Sequence, residues 1–539
     1  MDRVVTRFWR LVDHGQVFAE QQTALVHRTD NTGVCFSGGG TRAQCATVGQ
    51  LRALSQLGLL SELRYISSVS GGSWASSAFL WGSSAHEDSA LLGAHTRPED
   101  IDLDELKGVI PADCILSTAT TNLEKAFWQQ HKAGTPGPRL WTEAVGAVYL
   151  APFGLHSADA PAHIVADSAR WSATVSRNPG LAGAPTVSPR APQRLPFHVI
   201  NGCYLGPAAL EPLVHEAPVS FELTALYGGN PQRVQQHFRS RDGRRQEAVM
   251  GGGYIEPVAL GAPQLESMDA VTQTAAMAAP RRPFTLADAV GISSAAFAGV
   301  SSELTKSTRI LGGLTPQLEQ CPIEPGATGE RAAMGDGGVL ENYGLLTLLR
   351  RGVDRVVVFI NTSTPLDPSY RAVDAAPTAD DVDCFMPPLF GFPVHGVGMA
   401  LQNNQVFAQA DWAPVVTAMQ QAQEQGRPVV VRSTHEVLEN RLWGIAGGRR
   451  VEVLWCYLER VKAWEDRLSP SVERVVDRGS RRFFKGELAS FPHYKTAGED
   501  GLVDVHLSSL QARMLADFSC EVVQMVADEM RAVLARRSG

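Results

Sequence analysis

The chain has 539 residues, of which 44% are hydrophobic and 19% charged, a composition that excludes a disordered or fibrous protein. With 48 Lys and Arg against 56 Asp and Glu, the formal charge of −8 leaves no footprint for a nucleic-acid-binding surface and no whole-molecule attraction to anionic membrane. Eight scattered cysteines, with no C-x-x-C pair and no His/Cys spacing for a metal, read as small hydrophobes in a reducing compartment. No metal or cofactor is expected. The opening MDRVVTRFWRLVDHGQ lacks the apolar stretch of a secretory signal, and no run approaches the roughly 18 apolar residues of a membrane span. The expected location is therefore cytoplasmic, with any lipid contact peripheral.

Residues 1–32 read as a polar, partly helical lead-in. GVCFSGGG then gives a short apolar strand ending in glycines, and TRAQCATVGQLRALSQLGLL repeats apolar positions at helical spacing. LRYISSV, Leu63 to Val69, is a second strand, and SGGSWASSAFLWG opens another apolar helix. The alternation of strand, turn and helix over residues 33–82 predicts parallel strands joined by crossover helices. Residues 83–170 read as an inserted helical region, and 172–196, with five prolines, as an irregular excursion. FHVING from Phe197 and VSFELTALY from Val219 are strand candidates, whereas Gly261 to Arg282 reads as loose. FTLADAVGISSAAFAG from Phe284 is helical. GDGG at 335–338 sits in a turn before the helix NYGLLTLLRRG and the β-branched strand DRVVVFIN. From about residue 440 onward the chain reads as charged, amphipathic packing helices.

Three of these segments carry chemistry. Ser70 stands in Ser68-Val69-Ser70-Gly71-Gly72, at the end of a strand and the start of a helix. That is the context of a nucleophilic serine on a strained turn, where small residues two before and two after let neighbouring backbone approach. Ser37-Gly38-Gly39-Gly40-Thr41-Arg42 follows the first strand and opens a helix. Its amides can face the oxyanion of an acyl carbon, and Arg42 can hold a phosphate or carboxylate oxygen. The same glycines fit a dinucleotide fingerprint, but the next strand runs into Ser70 and glycines with no carboxylate at its end, so the hydrolase reading is favoured. No Lys-Ser/Thr pair follows them as a phosphate loop requires. Asp336, flanked by glycines, has a sterically open carboxylate that can act as general base toward a serine hydroxyl without a histidine. A Ser-Asp-His triad in chain order leaves His395, His435, His493 and His506 as candidates.

Together, VCFSGGGTRA, YISSVSGGSW and GDGGVLENYGLLTLLRRGVDRVVVFI resemble the cytosolic phospholipase A2 and lysophospholipase family, a relative of the patatin-like lipases. ADAVGISSAAF and FPHYKT resemble further family segments. The resemblance implies a three-layer α/β/α core with a largely helical cap. The catalytic domain would span 33–539, with cap insertions at about 83–196 and 225–282. It further implies Ser70 as nucleophile and Asp336 as its only partner, Gly39 and Gly40 as oxyanion donors, and Arg42 as the clamp on a lipid phosphate. The substrate would be a phospholipid or lysophospholipid, met at a transient membrane or micelle surface. Two other activities fit the same residues: acyl transfer from the same acyl-serine, and a catalytically silent lipid-binding role. The pattern departs from the family at Ser68 and Gly72, which exchange small residues around the nucleophile. With 36 residues before the first motif, the family's calcium-binding docking domain is not expected.

Overall fold

The computed structural model describes residues 2–10, 18–22, 30–82, 86–212, 218–240, 242–300, 313–324, 327–394, 399–479, 486–495 and 506–535. Its centre is built from strands β1 (Thr32–Phe36), β2 (Tyr65–Val69), β3 (Phe197–Pro207), β4 (Glu330–Asp336), β5 (Arg355–Ile360) and β6 (Arg449–Tyr457). In space the parallel strands run β3, β2, β1, β5, β6. Every residue of β1, β2 and β5 is buried, as expected of parallel strands covered on both faces, and their sequences TGVCF, YISSV and RVVVFI supply the β-branched and aromatic side chains that this requires.

Between these strands lie α1 (Gly40–Gln56) and α2 (Ser70–Trp81), so the strand-turn-helix-strand-turn-helix order read over 33–82 is the order observed. Helix α1 packs along the helix Ser509–Met525, where a buried ion pair joins Arg52 Nη1 to Asp517 Oδ1 at 2.6 Å. The helix α3 (Leu286–Ser293) begins with a capping box, Thr285 with Asp288, and lies against α2 and β3. The architecture is mixed α/β, a large sheet with helices packed upon it, consistent with the α/β/α class expected.

Three stretches differ from the sequence reading. Arg3–Trp9 is a strand rather than part of a helical lead-in. Residues 228–278, expected within a helical insertion and in part loose, form the antiparallel strands Gly228–Arg239, Arg245–Ile255, Leu265–Asp269 and Thr274–Ala278. With Val219–Leu223 and Arg3–Trp9 they extend the central sheet beyond β3 as an antiparallel wing. Arg449–Tyr457, within the stretch expected to be helical, is the fifth parallel strand. The first insertion, by contrast, is mostly helical, including Leu123–Lys132, Gly137–Val145 and Ser168–Arg177. A buried ion-pair cluster fastens the wing to the core: Glu222 takes both Arg350 and Arg351, and Arg351 Nε reaches Glu20 Oε1 at 3.0 Å.

Candidate active site

The serine and the aspartate are brought together by strand register. β2 runs parallel to β3 along one edge, up to the pair Val69 and Asn201. The opposite edge of β3 is taken from Ile200 to Tyr204 by Val219–Leu223. β4 therefore pairs with the first edge, antiparallel, from Ala332 opposite Pro207 to Asp336 opposite Gly202. β2 and β4 thus approach head to head against one neighbour, and their last residues fall one register position apart. Two strand ends 267 positions apart in sequence, Val69 and Asp336, thus meet on the sheet.

Ser70 is the first residue of α2 and has φ +50, in the left-handed region, directly after Val69 in an extended conformation. For a non-glycine residue this costs about 1–3 kcal/mol, and it turns the side chain out of the strand at the mouth of the sheet. Its amide donates to Ser293 Oγ at 3.0 Å, and its carbonyl accepts from Ser73 Oγ at 2.6 Å. Ser293 is the last residue of α3, and the following Ala295 carbonyl accepts the Asp336 amide at 3.4 Å. One helix end therefore holds the backbone of both residues. The next glycine is dictated by packing: a Cβ on Gly71 would fall into the Gly40 carbonyl.

Asp336 is 4% exposed and Ser70 8%. The Asp336 carboxylate accepts the Gly338 amide at 2.7 Å. Burial pushes its pKa up to about 7, while the Gly338 amide and the nearby Ser70 hydroxyl pull it down. The Ser70 hydroxyl thus lies close enough to the Asp336 carboxyl to favour its ionised form.

The glycine loop lies between the ends of β1 and α1. Gly38 donates its amide to the Asn342 carbonyl at 3.0 Å, and a Cβ at Gly38 would stand 3.0 Å from Ser70 Cβ, which places the loop against the serine. Gly39 has φ +136 and Gly40 φ +58, so the chain turns through conformations that favour glycine. Among the described residues neither amide meets an acceptor. They are also the first donors of α1, where the helix dipole adds partial positive charge.

Arg42 lies inside the protein rather than at its surface. Its Nε donates to the Asn361 carbonyl at 2.9 Å and its Nη1 to the Tyr494 carbonyl at 2.6 Å. Nη2 lies so close to Gly39 that a Cβ there would collide with it. Burial lowers its pKa to about 10, opposed by the Asp383 carboxylate, and it remains a cation at neutral pH. Asn361 in turn donates its amide to Ser37 Oγ at 2.8 Å, so Arg42 and Asn361 brace the glycine loop from behind.

Of the late histidines, His435 bonds Ser433 and Asp411, and His493 bonds the Thr362 carbonyl and Glu459. His506 is exposed, and His395 lies outside the described residues. One further histidine, which pattern reading treats only as part of a strand, lies next to the residues that flank the serine turn. His198 on β3 contacts Ser68 Oγ at 2.8 Å and Ser76 Oγ at 3.1 Å, and its Nδ1 accepts from Trp81 Nε1 at 3.0 Å. Burial drives its pKa down to about 3, so it is a neutral strut under the turn that bears Ser70. Ser293 was within reach of sequence reading, since it lies in ADAVGISSAAF; His198 and Asn361 carry no motif signal.

Comparison with known proteins adds solved structures only. Human GIVD cytosolic phospholipase A2 is similar over 94% of this chain and 60% of that one, at 15% identity and a TM-score of 0.46. The same enzyme in complex with methyl gamma-linolenyl fluorophosphonate is similar over 94% and 59%, with the same identity and score. The chain thus spans about three fifths of the length of those structures. No family model matches the chain, and no curated protein does. Among the described residues no helix is long and apolar enough to cross a membrane.

Proposed function

We propose that the chain is a serine acyl hydrolase of the phospholipase A2 or lysophospholipase type, acting on fatty acyl esters of glycerophospholipids at a transient membrane or micelle surface. The observation that carries this reading is the head-to-head meeting of β2 and β4 on one edge of β3, with a strained serine at one end and a buried carboxyl at the other. Asp336 takes the proton from Ser70 Oγ as that oxygen attacks the ester carbonyl. The tetrahedral oxyanion rests on the amides of Gly39 and Gly40, each such donor contributing about 3 kcal/mol of barrier lowering. The alcohol leaves with a proton from Asp336, and water, deprotonated by the same carboxylate, releases the fatty acid from Ser70.

Arg42 has two roles in this reading. Nε and Nη1 are committed to the Asn361 and Tyr494 carbonyls, so the guanidinium first supports the loop. The remaining Nη2 edge, beside Gly39, would offer charge to a lipid phosphate. The test is a panel of phospholipid, lysophospholipid and triglyceride, assayed with the purified wild type and Ser70→Ala, with product analysis to separate free acid from transferred acyl groups. Release of fatty acid that falls by about 10⁴-fold or more in Ser70→Ala is expected. Unchanged turnover in that variant refutes the assignment.

A further inference from the structure

At the far edge of the sheet, four strands from the one that bears Ser70 and hence about 19 Å away across it, a second serine is wired for reaction. Ser433 and His435 share the inner face of the edge strand Val430–Val437 at i and i+2. Asp411 directly precedes the helix Trp412–Glu424, which packs against that strand. Ser433 Oγ stands 2.6 Å from His435 Nε2, and His435 Nδ1 stands 2.8 Å from Asp411 Oδ2. A carboxylate can only accept, so Nδ1 carries the ring proton and Nε2 is left to accept the Ser433 hydroxyl. Trp455 Nε1 donates to the same Oγ at 2.9 Å and fixes its rotamer, leaving one lone pair on the oxygen.

The ring of His435 is 4.5 Å from that of Phe407 and 5.5 Å from that of Phe390, both wholly buried, so the imidazole cannot turn away. Burial also holds it below the usual imidazole range, neutral and able to take a proton. Only Ser433, half-buried, and Asp411, whose side chain is 35% exposed, reach toward solvent. An electrophile would have to approach from that side and be small.

We propose that Ser433 is a second nucleophilic serine, activated by His435 and with Asp411 as the positioning residue, which takes small activated acyl groups independently of Ser70. Ser433 Oγ forms the bond to the acyl carbon, its proton passes to His435 Nε2, and the imidazolium held by Asp411 returns that proton to the departing alkoxide. With a sulfonyl fluoride the bond forms to sulfur and fluoride departs. A cluster that merely fastens helix to strand would have the same hydrogen bonds but an unreactive oxygen.

The experiment is exposure of the full chain to phenylmethylsulfonyl fluoride, with peptide mass mapping of adducts. In wild type, adducts on Ser70 and on Ser433 are mapped separately, so a failure at one site is read apart from a failure at the other. In Ser70→Ala the Ser433 adduct persists. Adding Asp411→Asn, a change at a partly exposed position, slows its formation by at least roughly tenfold, and adding His435→Gln removes it. Absence of an adduct on Ser433 in folded wild type, or a rate unaltered by Asp411→Asn, overturns the proposal.

Discussion

Replacing Asp336 by asparagine separates the cost of the carboxyl from its use. In the folded chain burial raises the carboxyl from 3.8 to about 7, which corresponds to about 4 kcal/mol of bias toward the neutral acid. The sign follows from linkage. The folded state binds the proton more tightly than the unfolded one, so stability is highest below the unfolded value, declines as pH rises from about 3.8 to about 7, and is level above that. Asparagine stays neutral and escapes the decline. The difference in unfolding free energy between wild type and Asp336→Asn should therefore shift in the variant's favour by about 2–3 kcal/mol between pH 5 and pH 8. The asparagine oxygen can still accept the Gly338 amide, so that bond is common to both proteins and cancels in the comparison. Denaturant unfolding at the two pH values measures it. Ester turnover gives the complementary readout, because the base works only when ionised: kcat/KM of wild type should fall tenfold per pH unit below about 7 and vanish in Asp336→Asn. Parallel stability curves for the two proteins would refute the claim that this carboxyl is desolvated, whatever the turnover data.

Ser293→Ala removes the acceptor of the Ser70 amide; it should cost about 1–3 kcal/mol of stability by denaturant unfolding and lower kcat more than it raises KM, since the elbow loosens while the binding surface stays. His198→Leu strands Trp81 Nε1 and the Ser68 hydroxyl, while Ser76 keeps its bond to the Gly72 carbonyl, and should destabilise by about 2–4 kcal/mol, with Tm as the check. Because the folded chain keeps His198 neutral down to about pH 3 while the unfolded imidazole takes up a proton below about 6.5, wild type alone loses stability in acid, and the loss on substitution should be smaller at pH 5 than at pH 8 by about 2 kcal/mol. Arg42→Lys gives up the fork that spans the Asn361 and Tyr494 carbonyls; turnover of neutral esters and of phospholipids should both drop through the displaced loop, with the larger drop on phospholipids if Nη2 also meets phosphate.

The legible part of the fold is the part whose residues answer to a single local rule. Val34 to Phe36, Tyr65 to Val69 and Arg355 to Ile360 are short buried runs, and a strand buried on both faces has little freedom to look otherwise. The wing obeys two rules at once. Gly228–Arg239 carries Pro231 and a polar outer face, Arg245–Ile255 shifts register between Gly251 and Gly253, and Thr274–Ala278 is mostly alanine, a poor strand former. Such strands are specified by their neighbours rather than by their own composition. Arg3–Trp9 alternates buried and open positions and was readable on its own, but seven residues beside a polar stretch were outweighed by it. The candidate site residues stand out for the opposite reason: a serine or an aspartate among glycines is locally conspicuous. Their meeting is not, because it depends on which edge of β3 is left vacant once Val219–Leu223 has taken the other.

That vacancy also bears on how a serine could be activated without an imidazole. A carboxylate of ordinary pKa near 4 is a weak base toward a hydroxyl, and imidazole, near 6.5, is better matched to neutral pH. Closing β4 onto β3 buries Asp336 and raises it to about 7, within the range of imidazole, while the Gly338 amide still holds one oxygen in place. The basicity that a third residue supplies in a triad would here come from removal of water around the second. This couples the chemistry to packing: a cavity-forming change against Gly202, the register partner of Asp336, such as Ile292→Ala near the end of α3, would admit water and draw the carboxyl back toward 4. The pH at which kcat/KM levels off should then move down together with the maximal rate. A rate that fell with the pH dependence unmoved would place the effect in geometry and not in basicity.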